Sequence, residues 1–242
     1  MITKSIVFAT LLAPAVLIPQ DAVEIKWSPK VGETVNHQMN IAMSMDAGGT
    51  PMDINVSFVT VSKILSIDGD TVKTEDGMKD FKMMFNGQDA GDMGPDASAM
   101  NQKVITTRKL SGKVVSIEGG MSEMSGGPRV QQMNTFEYPS VPVKVGDSWM
   151  LDFPKDASKG LPLAAKAKFT YEGDEKIGKY DTWKIAFVYS EMDDPRGYGN
   201  MGTTWLDKST GKLVKLVGEY QNVSFNEMMP PSNAKITINI VN

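Results

Sequence analysis

The chain contains no cysteine and only one histidine among its 242 residues. Without cysteine there is no disulfide bond, no thiol nucleophile and no thiolate metal ligand. A bacterial lipoprotein anchor is excluded as well, since it requires a cysteine. His37 is the only imidazole that could serve as a general base. Ser122 and Ser125 lie among glycines, but they lack the second glycine of a nucleophile elbow. The sequence therefore gives little support to a Ser–His hydrolase.

Clustered positive charge is also missing. The chain has 25 Lys and Arg residues against 29 Asp and Glu residues, a formal net charge of −4, and no Lys/Arg-rich block. A surface that binds nucleic-acid phosphates needs concentrated positive charge. We therefore expect no nucleic-acid partner.

Long hydrophobic runs are absent beyond the N-terminus. Residues 1–4 carry one positive charge, and residues 5–19 are apolar but interrupted by Pro14 and Pro19. This run is shorter than the roughly 20 residues that a membrane-spanning helix needs. Ala13-Pro14-Ala15 within it is a small-x-small cleavage site, and Ala22 is a later candidate. We predict a signal peptide over residues 1–22, cleaved near residue 15 or 22. The mature protein is then secreted or periplasmic and soluble, with no transmembrane segment.

Strict alternation of apolar and polar side chains is the strongest pattern in the remaining chain. Val35, His37, Met39, Ile41, Met43 and Met45 fall on one face of a strand, opposite polar or small residues. A Gly-containing turn follows, and the alternation resumes at Met52 and Ile54. The apolar phase then flips after Phe58, which predicts a β-bulge at that point. Pro128 can begin a short helix over residues 129–134.

A second stretch of the chain repeats the first. Lys144-Val145-Gly146-Asp147-Ser148 follows Lys30-Val31-Gly32-Glu33-Thr34 by 114 residues. Asp181-Thr182-Trp183-Lys184 follows Asp70-Thr71-Val72-Lys73 by 111 residues, and Phe169 follows Phe58 by the same distance. Thr203-Thr204 follows Thr106-Thr107 by 97 residues. The preserved order indicates an internal duplication of about 100 residues per copy, the usual size of one domain-like unit.

These patterns predict an all-β fold of two tandem antiparallel β units, either curved sheets or half-barrels, with at most short helices. The expected divisions are unit 1 over residues 23–120, a connector over residues 121–143 and unit 2 over residues 144–242. The two units could pack together or continue one another.

Candidate metal ligands lie on the first strand. His37, Met39 and Met43 carry an imidazole and two thioethers, which are ligands suited to copper, with thioethers favouring Cu(I). Residues on one face of a strand are about 6.5–7 Å apart from one to the next, so this strand can supply at most two ligands to one ion. In the second copy Leu151 and Phe153 replace His37 and Met39, which favours a core role. Periplasmic Cu(I) binding remains an alternative function.

Loop carboxylates offer a second alternative. Asp89, Asp92 and Asp96 lie in an irregular insertion, and Asp193-Asp194 precede Pro195. Neither group has the alternating oxygen-ligand spacing of a calcium loop. A secreted hydrolase that uses such carboxylates is the third hypothesis.

Methionine is abundant, with 18 in the chain. Its flexible, polarisable side chain suits surfaces that accept varied apolar ligands. The predicted ligand-binding residues are Met39, Ile41, Met43, Met45, Met52 and Ile54. Plain core packing is the competing interpretation, because an apolar stripe is the normal inward face of a strand.

Two segments of the second half resemble a known group of proteins. VPVKVGDSW (residues 141–149) and GTTWLDKSTGKLV (residues 202–214) resemble segments of a family of uncharacterised secreted bacterial β-rich proteins. The second segment is also similar to a hairpin in lipoprotein-carrier-type half-barrels of the bacterial envelope. The resemblance implies an exported β-sheet protein and brings no catalytic residues.

The sequence therefore predicts an exported, non-catalytic envelope or periplasmic protein. We expect it to bind an apolar small molecule, a lipid or a protein partner on a concave sheet face. Nothing in the sequence predicts a cofactor.

Overall fold

The computed structural model describes residues 21–46, 50–91, 102–119, 127–224 and 231–241. Most of the predicted signal peptide lies outside the described residues, as do Asp92 and Asp96. Ser122 and Ser125 lie outside them too.

The described residues form an almost entirely β structure. The strands are β1 (Thr34–Asp46), β2 (Pro51–Asp68), β3 (Thr71–Phe85), β4 (Gln88–Asp89), β5 (Val104–Lys109), β6 (Val114–Gly119), β7 (Ser148–Phe153), β8 (Ala165–Ile177), β9 (Tyr180–Glu191), β10 (Gly199–Asp207), β11 (Leu213–Val223) and β12 (Ser232–Val241). One α-helix, α1, spans Gly127–Met133, and a 3₁₀ turn spans Ala157–Lys159. The prediction of an all-β fold with short helices is confirmed.

All the strands belong to one open antiparallel sheet. Their order is β6-β5-β3-β2-β1-β12-β11-β10-β9-β8-β7, and the short β4 pairs with β3. β12 lies between β1 and β11 and pairs with both of them. The two predicted units therefore continue one another in a single curved sheet.

The pairing of β1 with β2 corrects one expectation. It runs without a shift from Thr34↔Lys63 to Asp46↔Pro51. The phase flip after Phe58 is therefore not a bulge in β2, because Val59 simply takes the opposite face. A shift does occur nearby in the pairing of β2 with β3, where β3 carries the extra residue beside Asp80. Asp80 has φ 56°, the left-handed conformation that such irregularities often use.

The two Lys-Val-Gly turns bind the sheet through the same hydrogen bonds. In unit 1 the Gly32 N–H donates to Ile64 O, and the Ile64 N–H donates to Glu33 O, both at 2.9 Å. In unit 2 the Gly146 N–H donates to Tyr171 O at 2.8 Å, and the Tyr171 N–H donates to Asp147 O at 3.0 Å. Gly32 and Gly146 have φ of 82° and 92°, a conformation that glycine adopts without steric cost.

Pairing shifts recur at equivalent places in the two units. β2 shifts against β3 just after Ile64, and β8 shifts against β9 just after Tyr171. A second pair of shifts is equivalent as well: β5 shifts against β6 after Thr107, and β10 shifts against β11 after Trp205. Strands β1, β2, β3, β5 and β6 thus correspond to β7, β8, β9, β10 and β11, which supports the internal duplication.

The strand pairing corrects two details of the repeat. Met39 pairs with Phe58 in unit 1, and Phe153 pairs with Ala165 at the equivalent place in unit 2. Phe58 therefore corresponds to Ala165 and not to Phe169. Thr106-Thr107 likewise corresponds to Thr204-Trp205, one residue later than the sequence suggested. A repeat read from sequence misses changes in turn length between strands.

Candidate functional site

The inner face of the sheet is the face on which α1 and the residues after it pack. On this face, strands β8 and β9 of unit 2 carry side chains that are almost completely buried. Phe169, Tyr171, Ile185 and Tyr189 are between 0% and 4% exposed. The connector, described over residues 127–143, contacts Phe169 through Phe136 and Tyr189 through Gln132.

An ion pair with a buried carboxylate fixes α1 to the C-terminal end of β9. Arg129 donates through Nε to Glu191 Oε1 at 2.8 Å and through a second nitrogen to Glu191 Oε2. The Tyr198 N–H donates to the same carboxylate at 2.7 Å, and the Arg129 guanidinium lies 3.5 Å above the Tyr198 ring. The Glu191 side chain is only 2% exposed. The hydrogen bonds to Glu191 raise the pKa of Arg129, so the guanidinium keeps its positive charge beside the buried carboxylate.

Polar contacts continue along the connector. The Tyr189 hydroxyl donates to Gln132 Oε1 at 3.0 Å, and the Tyr220 hydroxyl donates to Asn134 Oδ1 at 2.7 Å. Burial raises the pKa of Tyr220 to about 12. This tyrosine therefore stays protonated and remains a donor at neutral pH.

Aromatic rings fill the space below these contacts. Phe136 meets Phe169 edge-on with ring centroids 5.1 Å apart, and Trp149 stacks on Phe169 at 5.5 Å. The Trp149 Nε1–H donates to Glu137 O at 2.7 Å. The unit 2 half of the inner face is a rigid core whose parts are fixed by both packing and hydrogen bonds.

The unit 1 half carries the predicted ligand-binding residues. Met39, Ile41, Met43, Met45, Met52 and Ile54 all lie on its inner face. They pair across the strands as Met43↔Ile54 and Met45↔Met52, while Ile41 pairs with Val56. Met43 and Ile54 are 8% and 1% exposed, whereas the other four are only partly buried. Met83 and Phe85 extend the same face onto β3.

His37 lies on this face near the N-terminal end of β1, close to the first residue of β11, Leu213. Its Nε2 is 2.9 Å from Leu213 O, so this nitrogen carries the proton and donates it. Burial lowers the pKa of His37, and the nearby Lys212 charge lowers it further, against the effect of the Leu213 hydrogen bond. Only Nδ1 is then left for a metal. Met43 lies six residues along β1, about 20 Å away by strand rise, so His37 and Met43 cannot ligate one ion.

The carboxylates expected in loops are engaged locally where the structure describes them, and Asp89 lies in the short strand β4 because it pairs with Met84 of β3. Asp89 Oδ1 accepts from the Gly91 N–H at 3.0 Å, and Asp194 Oδ1 accepts from the Arg196 N–H at 2.8 Å. Among the described residues, no three His, Asp or Glu side chains gather as a metal site would require.

Sequence reasoning missed one buried and one partly buried carboxylate on the inner face. One is Glu191. The other is Asp76, which accepts hydroxyl hydrogen bonds from Ser62, Thr74 and Thr106, at 3.1 Å from Thr74 and 3.0 Å from Thr106. Both continue an inward-facing alternation, and an acid in such a place signals a buried partner.

No helix among the described residues has the length and apolar character needed to cross a membrane.

Comparison with known proteins gives distant structural similarities. No protein-family model matches the chain, and no curated protein matches it. A proposed exported protein with a YmcC-like fold from Bacteroides fragilis aligns with a TM-score of 0.37 and 12% identity, covering 91% of this chain and 100% of that one. The hypothetical lipoprotein YmcC from Escherichia coli aligns at 0.31 and 11% identity, covering 88% of each chain. A DUF1329 family protein from Desulfovibrio piger aligns at 0.24 and 12% identity, covering 86% and 84%. The fold assignment rests on the strand pairing described above.

Proposed function

We propose that this is an exported, non-catalytic binding protein that holds an extended apolar chain, such as a lipid acyl chain, on the unit 1 half of its inner face. The observation that carries the proposal is the set of partly accessible methionines on β1 and β2. Met39, Met45 and Met52 keep part of their surface accessible beside the buried Met43 and Ile54. On β8 and β9, by contrast, Phe169 and Tyr189 contact the connector and are 4% and 2% exposed.

The shape and chemistry of this stripe support an apolar occupant. From Met39 to Met45 it extends about 20 Å along β1, by strand rise. Methionine side chains have three rotatable bonds and adapt to ligands of different shape. Burying further methylene groups there contributes about 0.8 kcal/mol each.

The inventory of reactive groups supports a non-catalytic role. His37 already uses one ring nitrogen on Leu213 O. Glu191 is held by Arg129, and Asp76 is held by three hydroxyl groups. Each of these groups has a structural partner.

Titration with fluorescently labelled palmitate tests the proposal. Wild-type protein is expected to bind the probe, and Met52→Lys is expected to weaken binding at least tenfold, because the ammonium group opposes an apolar chain. Met52→Leu is expected to bind like wild type. The matched control is Met201→Lys, on the opposite face, where the methionine is 46% exposed.

Circular dichroism confirms that each variant is folded. The proposal is overturned if wild-type protein does not bind the probe, or if Met52→Lys and Met201→Lys bind it equally.

A further inference from the structure

The curved sheet ends in two strands that correspond to strands joined elsewhere in the molecule. Within the described residues, β6 pairs only with β5, and β7 pairs only with β8. Their counterparts in the repeat are β11 and β1, and β12 lies between those two and pairs with both. The repeat therefore presents two equivalent junctions, of which one contains a strand.

The chain that leads into each unit makes the same contacts at its junction. The Ser28 N–H donates to Thr210 O at 2.7 Å, and Gly211 packs against Lys26 O. At the other junction the Tyr138 N–H donates to Ser111 O at 2.8 Å, and Gly112 packs against Phe136 O. A β-carbon at either glycine would overlap the facing carbonyl oxygen.

These contacts place the β5–β6 turn, and with it the start of β6, near the start of β7. The residues that bind the β5–β6 turn also bind β7, because Trp149 donates to Glu137 O at 2.7 Å. We call the space between β6 and β7 the seam.

The side chains along the seam are unusually apolar for a sheet edge. Val115, Ile117 and Met150 are 57%, 38% and 54% exposed. Sheet edges are normally protected by lysine, proline or bulges near the free side. β6 has the sequence VVSIEG and contains neither lysine nor proline. Of these protective features it has only the pairing shift against β5.

We propose that the seam accepts an extended segment of a partner protein as an added strand, antiparallel to both β6 and β7. β12 defines the chemistry of such a segment, since it fills the equivalent junction. β12 places Ala234, Ile236 and Ile238 on the inner face and alternates them with Lys235, Thr237 and Asn239. The partner segment alternates aliphatic and polar side chains and contains no proline. Main-chain hydrogen bonds to both edges supply its affinity, as in other cases of strand addition.

A synthetic peptide with the β12 sequence SNAKITINIV is the probe, and amide hydrogen exchange is the measurement. We expect the peptide to slow exchange of β6 and β7 amides at least tenfold and to leave β3 and β9 unchanged. A peptide with proline at the positions of Ile236 and Ile238 is expected to have no effect, because proline cannot donate the main-chain hydrogen bonds.

Three results would overturn the proposal. In the first, the peptide has no effect on β6 and β7. In the second, it protects only β1 and β11, so that it exchanges with β12 itself. In the third, both edges are already protected in the free protein, which means that the chain fills its own seam.

A substitution separates this site from the acyl-chain site. Ile117→Asp is expected to weaken peptide binding at least tenfold and to leave palmitate binding unchanged, whereas Met52→Lys has the reverse effect. Val188→Asp, at an outer-face residue that is 49% exposed, is the matched control. Equal effects of Ile117→Asp and Val188→Asp would contradict the assignment.

Discussion

The two halves of the inner face are built on the same strand register and are filled in opposite ways. At equivalent positions β1 carries Val35, His37 and Met39, and β7 carries Trp149, Leu151 and Phe153. Rings and connector hydrogen bonds hold the unit 2 half, while unbranched side chains line much of the unit 1 half. A repeated backbone thus supports a rigid core and an adaptable surface, according to which side chains it carries. The difference can be tested by substitution.

The largest effect is expected at the ion pair that fixes the connector. Arg129→Met leaves the Glu191 carboxylate buried without its cation, which costs about 3–5 kcal/mol. Urea unfolding measures the loss. Lys166→Met is the control, because Lys166 and its partner Asp152 are 50% and 72% exposed and such pairs contribute about 1 kcal/mol or less. Similar losses in the two variants would show that the connector is not fixed by this pair.

An intermediate effect should distinguish rigid from adaptable packing. Phe169→Leu loses ring contacts with Phe136 and Trp149 and leaves a cavity, for an expected cost of about 2 kcal/mol. Met43→Leu keeps volume and apolar character, so its cost should stay below about 1.5 kcal/mol. Unfolding free energies measured under the same conditions provide the comparison. A Met43→Leu variant that loses as much as Phe169→Leu would mean that the unit 1 half is packed as rigidly as the other.

The smallest effect is expected from His37, whose pKa is lowered below 6.5 in the folded protein, mainly by burial. The unfolded chain then binds more protons than the folded protein at pH values between the folded and the unfolded pKa. Stability is therefore complete above about pH 6.5 and declines as the pH falls toward the folded pKa. His37→Leu, which introduces the residue found in unit 2, should remove this part of the pH dependence.

Urea unfolding of wild type and His37→Leu at about pH 8 and about pH 5 measures the difference. A wild-type protein that gains stability relative to His37→Leu on acidification would contradict the lowered pKa.

Local sequence patterns predicted the strands and the repeat because both are local properties. Alternation around Met43 and Ile185 follows directly from the two-residue period of a strand. The Lys-Val-Gly turns were visible because a glycine with positive φ recurs at Gly32 and Gly146. The helix expected after Pro128 is α1.

The neighbours of each strand could not be predicted in the same way. Alternation tells which residues share a face, but it does not tell which strand lies alongside. Nothing near Ile236 indicates that β12 pairs with β1. Arg129 and Glu191 meet from positions 62 residues apart, and the only sequence signal was a carboxylate that continues the inward alternation of β9. Phe58 and Phe169 looked equivalent because aromatic residues recur on many strands.

The pairing of β1 with β12 has a consequence for how the chain folds. β1 is synthesised early, but β12, one of the two strands that pair with it, begins at Ser232, almost two hundred residues later. The hydrogen bond from the Ser28 N–H to Thr210 O likewise forms only after the turn at Thr210 has been synthesised. Such distant pairings have a high loop-closure cost and slow the search for the native state. Unit 1 is therefore expected to complete its sheet only after β12 has been synthesised, so the pairing of β1 is one of the late steps of folding.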